Sequence, residues 1–166
     1  MAFTCDVCGE THAGETRDIR MGLPQPIFLL DEEERELVAR VGDDSAVLRK
    51  GDRERFFVRA LLELPIAEED GYFGYGAWIE VSEHDFAALC ELWDDEDGWR
   101  SEPFPGTLAN ELSPYAFTEG LPVRIRLRDV QLLPLVDLED GEHELVRAQR
   151  QGISAHRAHQ LAATVV

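Results

Sequence analysis

Positive charge is scarce in this chain. Of its 166 residues, 16 are Lys or Arg against 34 Asp or Glu, a formal net charge of −18. A field of that sign repels phosphate backbones and anionic lipid. Neither nucleic acid nor a membrane surface is expected as a partner, and a basic protein or a cation suits the charge better. Solubility alone is the simpler explanation. Lys50 is the only lysine, which reads as genomic composition bias.

Long apolar runs are missing too. None approaches the ~20 residues that cross a bilayer as a helix. The opening Met1-Ala2-Phe3-Thr4-Cys5 has neither the basic nor the apolar region of a signal peptide. The three cysteines are odd in number and form no disulfide framework, so a reducing cytoplasm is the expected compartment. No P-loop, HExxH or nucleophile elbow occurs. The glycines among residues 71–76 lie inside an aromatic strand, not at the strand-to-helix turn that binds dinucleotides; close backbone packing or a bulge accounts for them.

What is present indicates one α+β domain over 1–166: a mainly antiparallel sheet with helices packed on one side and a zinc-knuckle-like turn at the N-terminus. Residues 1–12 form the knuckle, 27–138 the sheet and two helices, and 142–164 the C-terminal helices. Residues 13–26 read as an extended connection. Asp31 and Glu34 have the form of a capping box for a helix over 31–41, with Leu37, Val38 and Val41 as its apolar stripe. Strands follow at 46–48, 56–66 and 71–81. In the second, Phe56, Val58, Ala60, Leu62 and Leu64 share one face, and Phe57, Arg59, Leu61 and Glu63 share the other. Ser82 and Asp85 resemble a capping pair, and Phe86, Leu89, Cys90 and Trp93 form a buried helical stripe. That spacing makes Cys90 an inert core thiol. Further strands are expected near 107–112, 123–127 and 131–138, and helices over 142–151 and 154–164.

Cys5-Asp6-Val7-Cys8-Gly9, with His12 four residues beyond the second cysteine, carries the clearest chemistry. Two thiolates two residues apart can face one metal across a tight turn, and glycine eases that turn. Structural zinc takes four N or S ligands, and this segment offers three. His143 is the first choice for the fourth; His84, His156, His159 and Cys90 are alternatives. Two thiolates make zinc a poor Lewis acid, so a structural ion is favoured over a catalytic one. A catalytic site with water in the fourth position would use Glu10 as its base. A redox dithiol needs a helix N-terminus after a strand, which the chain start does not provide.

Arg59 and Arg150 can each hold an anion, and Tyr75 and Trp78 can line a pocket beside them. Given 34 acidic residues, ion pairing is the expected fate of both arginines. Core packing is the expected fate of the aromatics. The acidic loop 94–97 lacks the ligand spacing of a calcium site.

Cys5-x-x-Cys8-Gly9-x-x-His12, the strand segments 56–66 and 77–83, and the segment from His143 to Ile153 together resemble a bacterial family known as domain of unknown function 2199. The likeness spans nearly the whole chain. It implies that Cys5, Cys8, His12 and His143 match motif positions and that the chain is a stand-alone bacterial protein. It implies no activity. Two departures stand out: Tyr75 where the family pattern has tryptophan, and Gly106-Thr107-Leu108 where it has Gly-Trp-Leu. Three functions remain open. The first is a zinc-stabilised binding or interaction module, one form of which is an acidic immunity or antitoxin-like protein. The others are a metal-dependent hydrolase and a small-molecule binder using the aromatic strand.

Overall fold

The computed structural model describes residues 2–4, 11–13, 18–68 and 70–163, the first two stretches by their backbone alone. Strands β1 (Ala2–Thr4) and β2 (Thr11–Ala13) pair antiparallel, with Phe3 opposite His12 and Thr4 opposite Thr11. The residues that join them, 5–10, carry Cys5 and Cys8. They lie outside the described residues, and so does the expected zinc-knuckle turn.

The other strands form one eight-stranded sheet. They are β3 (Asp18–Arg20), β4 (Ala39–Val41), β5 (Ser45–Lys50), β6 (Arg53–Pro65), β7 (Tyr72–Val81), β8 (Phe104–Leu108), β9 (Pro122–Arg126) and β10 (Leu135–Leu138). Strands β6 to β10 pair in succession, each antiparallel to the one before. In an up-and-down meander of five strands the first and last run the same way, so closure requires a parallel pair. The structure closes so, with Leu135 of β10 beside Leu61 of β6, and the result is a five-stranded barrel. Strand β3 adds a second parallel pair, on β7.

Among the described residues five α-helices accompany the sheet: α1 (Gln25–Phe28), α2 (Glu32–Val38), α3 (Glu83–Leu92), α4 (Glu144–Gln151) and α5 (Ala155–Ala163). Asp31 caps α2 by accepting from the Glu34 backbone N–H at 2.8 Å. Ser82 caps α3 by accepting from the Asp85 N–H at 3.1 Å. Both caps follow the expected pattern. The end of α2 does not. The helix stops at Val38, and residues 39–41, expected to continue it, become β4 against β5. Of the apolar stripe, Val38 packs against the core, whereas Leu37 is 85% and Val41 42% exposed. In α3 the buried face is narrower than its spacing implies. Leu89 is buried, Phe86 and Trp93 are half-buried, and Cys90 is exposed, so it is not a core thiol.

Period-two alternation in β6 divides the core. Val58, Ala60, Leu62 and Leu64 belong to the main cluster with Tyr75, Ile79, Val123, Ile125 and the apolar residues of α4 and α5. Phe57 points the other way, into a second cluster with Trp78, Ile27, Ala46, Leu48 and Ala109. Helix α1 supplies Ile27 to that second cluster, so helices cover both faces of the β6–β7 pair rather than one.

Candidate functional site

The second face of β6 and β7 carries the site. Because β6 and β7 are in antiparallel register, Arg59 lies opposite Trp78, Leu61 opposite Gly76 and Glu63 opposite Gly74. Gly76 carries no side chain, and beside it and Leu61 lies a cleft of about 460 Å³. Such a volume suits a small ligand. Gly74 has a steric reason as well. A Cβ there would sit 2.5 Å from Asp18 Oδ1 and 2.8 Å from Leu61 Cδ1, so only glycine admits the Asp18 side chain. The close packing expected of this glycine-containing strand is thus found at Gly74.

A strap formed by residues 18–25 lies along β7 and walls the cleft. Strand β3 holds Asp18 beside Gly74 and Arg20 beside Gly76. The Met21 N–H then donates to Gly76 O at 3.0 Å, and the Gln25 N–H to Ala109 O at 2.6 Å. Asn110, 1% exposed, ties three segments together. Its Oδ1 accepts from the Trp78 N–H at 2.7 Å, and its Nδ2 donates to Leu23 O at 2.8 Å. A buried amide satisfied on both ends costs nothing for its polarity and fixes the loop it belongs to.

Arg59 lines the cleft and is only 2% exposed. Its guanidinium stacks on the Trp78 ring at 4.6 Å, a cation–π geometry strengthened by desolvation. Its Nη2 donates to Met21 O at 3.0 Å, and the Trp78 Nε1–H donates to the same oxygen at 3.0 Å. Its Nε is buried with no partner. Of the five N–H donors a guanidinium carries, one is used among the described residues, and none meets a carboxylate. Burial, then the nearby Arg20 charge, pulls the Arg59 pKa below its ordinary value, against a smaller pull upward from Asp44 and Asp43. A buried cation so placed is destabilising by several kcal/mol unless an anion joins it.

The second expected arginine behaves as foreseen. Arg150 pairs with Asp140 at 3.3 Å and also donates to Leu138 O. Beside it, Gln149 accepts from the Leu138 N–H at 2.7 Å and donates to Val136 O at 3.0 Å. Both side chains therefore bind α4 to β10. They border an adjoining cleft that meets the first at Leu61 and Tyr72. Tyr75 faces the main core, 1% exposed, where burial pushes its hydroxyl pKa up. Trp78 lies beneath Arg59 and is fully buried. The four residues expected around one pocket therefore separate: Arg59 and Trp78 meet, whereas Tyr75 and Arg150 lie elsewhere.

His143 caps α4. Its Nδ1 accepts from the Leu145 N–H at 3.0 Å, and its Nε2 lies 2.8 Å from Ala116 O. With Nδ1 accepting, Nε2 carries the proton and donates. A metal at His143 would displace one of these bonds. Among the described residues no group of three His, Cys, Asp or Glu side chains is placed to hold a metal, and no helix is long and apolar enough to cross a membrane.

Sequence reasoning missed Asp18, Arg20, Asp44 and Arg128 as cleft residues. The available signal was Gly74 and Gly76 two apart on one face of β7, opposite the mixed face of β6.

No curated protein and no solved structure matches the chain. Residues 4–153 match the family described as an uncharacterized protein conserved in bacteria, DUF2199. That stretch takes in the cysteine pair, the whole Arg59 cleft and His143, and the chain is a member of that family.

Proposed function

We propose that this protein is a binding module whose cleft between the strap and β6–β7 receives a small anionic ligand on Arg59. One observation carries the reading: a guanidinium that is 2% exposed, lines a cleft and keeps a buried Nε without a partner. Arginine is suited to oxyanions because its planar donor fork matches carboxylate and phosphate geometry. With an anion bound, the desolvation cost of the cation is offset, and the ligand gains hydrogen bonds strengthened by charge and low dielectric.

A thermal-shift panel of small carboxylates and phosphates tests it. A ligand at about a hundred times its Kd adds ~2.7 kcal/mol of stability. For a chain this long that is ~5–10 °C in Tm. The expected result is such a shift in the native protein and none in Arg59→Met. A panel without any stabilising anion ends the reading.

The same proposal includes a structural zinc ion on Cys5, Cys8 and His12. In its support, the β1–β2 hairpin sets His12 in the strand that follows the cysteine segment. Cys2His-type donor sets with a further N or S ligand suit tetrahedral zinc. His143 can complete the set only by giving up a hydrogen bond. Elemental analysis of purified protein is expected to find stoichiometric zinc, lost in Cys5→Ser together with a lower Tm. Metal-free native protein that melts as the variant does would remove zinc from the account.

A further inference from the structure

The cleft is electrically two-ended, and the register shows how. Gly74 of β7 is flanked by Asp18 of β3 on one side and Glu63 of β6 on the other. Two residues along, Arg20 flanks Gly76, and four residues along, Arg59 flanks Trp78. On β3, then, an acid and an arginine stand one level apart, and on β6 two levels apart. On β6 the apolar Leu61 stands between them. At a rise of ~3.4 Å per residue, the levels of Gly74 and Gly76 are ~7 Å apart, and the Arg59 side chain reaches back to the Gly76 level, where a Cβ would lie 3.8 Å from its Cδ.

Each end also holds opposing charge. Asp44 and Asp43 act on Arg59 at the arginine end, and Arg128 and Arg126 on Glu63 at the acidic end. Arg128 is partly committed, its Nε donating to Leu133 O at 2.6 Å. Burial and then the neighbouring Asp18 raise the pKa of the Tyr72 hydroxyl, and Glu63 is raised by burial first, then lowered by Arg128 and raised by Asp18.

We infer that the cleft takes a linear zwitterion, with its carboxylate on the unpartnered donors of Arg59, its methylene chain along Leu61, and its ammonium group on Asp18, at the junction with the adjoining cleft that Glu63 lines. A simple anion would satisfy Arg59 and leave the acidic end facing it; a simple amine would leave Arg59 unpaired. Only a molecule with both charges about one cleft-length apart complements each end. This inference rests on the anion-binding reading above.

Isothermal titration calorimetry of the full chain with ω-aminohexanoate, hexanoate and hexylamine tests it. The zwitterion is expected to bind at least about tenfold tighter than hexanoate, the worth of one added charged hydrogen bond, with hexylamine unbound. Asp18→Asn is expected to erase the difference between zwitterion and carboxylate, and Arg59→Met to abolish binding of both. If hexanoate binds as tightly as ω-aminohexanoate, the zwitterion inference fails and the anion reading stands. The zwitterion inference also fails alone if neither binds while another carboxylate or a phosphate shifts the Tm in an Arg59-dependent way. If no anion binds at all, both fail.

Discussion

Trp78→Ala is expected to destabilise the protein by roughly 3–5 kcal/mol, the range for deleting a buried tryptophan from a packed core. Three losses combine at this position. The indole is fully buried between Ile27, Phe57 and Ala109, so its removal leaves a cavity that a sheet-bound backbone cannot collapse. Met21 O loses one of its two donors. Arg59 loses the ring on which its cation rests. The backbone bonds of residue 78 to Asn110 and Ala109 do not depend on the side chain, so the strand itself persists. Urea denaturation checks the value. The midpoint should fall with the slope of the transition unchanged, and a loss below about 1 kcal/mol would mean that the second cluster is not a packed core.

Arg59→Met moves stability in the opposite direction. Methionine keeps most of the aliphatic volume and removes a cation that no described carboxylate contacts. Against this, the variant forfeits the bond to Met21 O and the stacking on Trp78. Substituting apolar side chains for buried charge is commonly neutral or stabilising by ~1–4 kcal/mol, and a gain of about 1–2 kcal/mol is the expected balance here. The same substitution removes ligand binding. A site that costs stability when empty and is relieved by substitution is the signature of function held against stability. A variant less stable than the native protein by about 1 kcal/mol or more, the size of those two forfeited contacts, would instead make Arg59 a structural residue.

Much of the local structure was legible in the sequence. Alternation in β6 assigned both of its faces correctly, and the caps at Asp31 and Ser82 were visible from their acidic partners three residues on. Three kinds of information were not local. The end of α2 was one: Ala39 to Val41 leave the helix because β5 offers a pairing edge, and propensity alone does not register a neighbouring strand. Closure of the barrel was another, since it depends on Leu135 meeting Leu61 across more than seventy residues. The partner of Arg59 was the third. A surplus of acids implied an ion pair, and Arg150 obeyed that rule. Arg59 broke it because the strap places the carbonyl of Met21, not a carboxylate, against its guanidinium. Family likeness was equally legible, through the cysteine segment and the strands, and it extends over residues 4–153.

Leu61 does two jobs that are usually separate. It is the residue of β6 that meets β10 where the cylinder shuts, its N–H donating to Pro134 O at 2.8 Å, and its side chain is a wall of the cleft. The joint is short, a single matched pair. An occupant pressed against Leu61 therefore acts as a latch on that joint. By reciprocity, whatever loosens the joint weakens the grip on the occupant by the same factor.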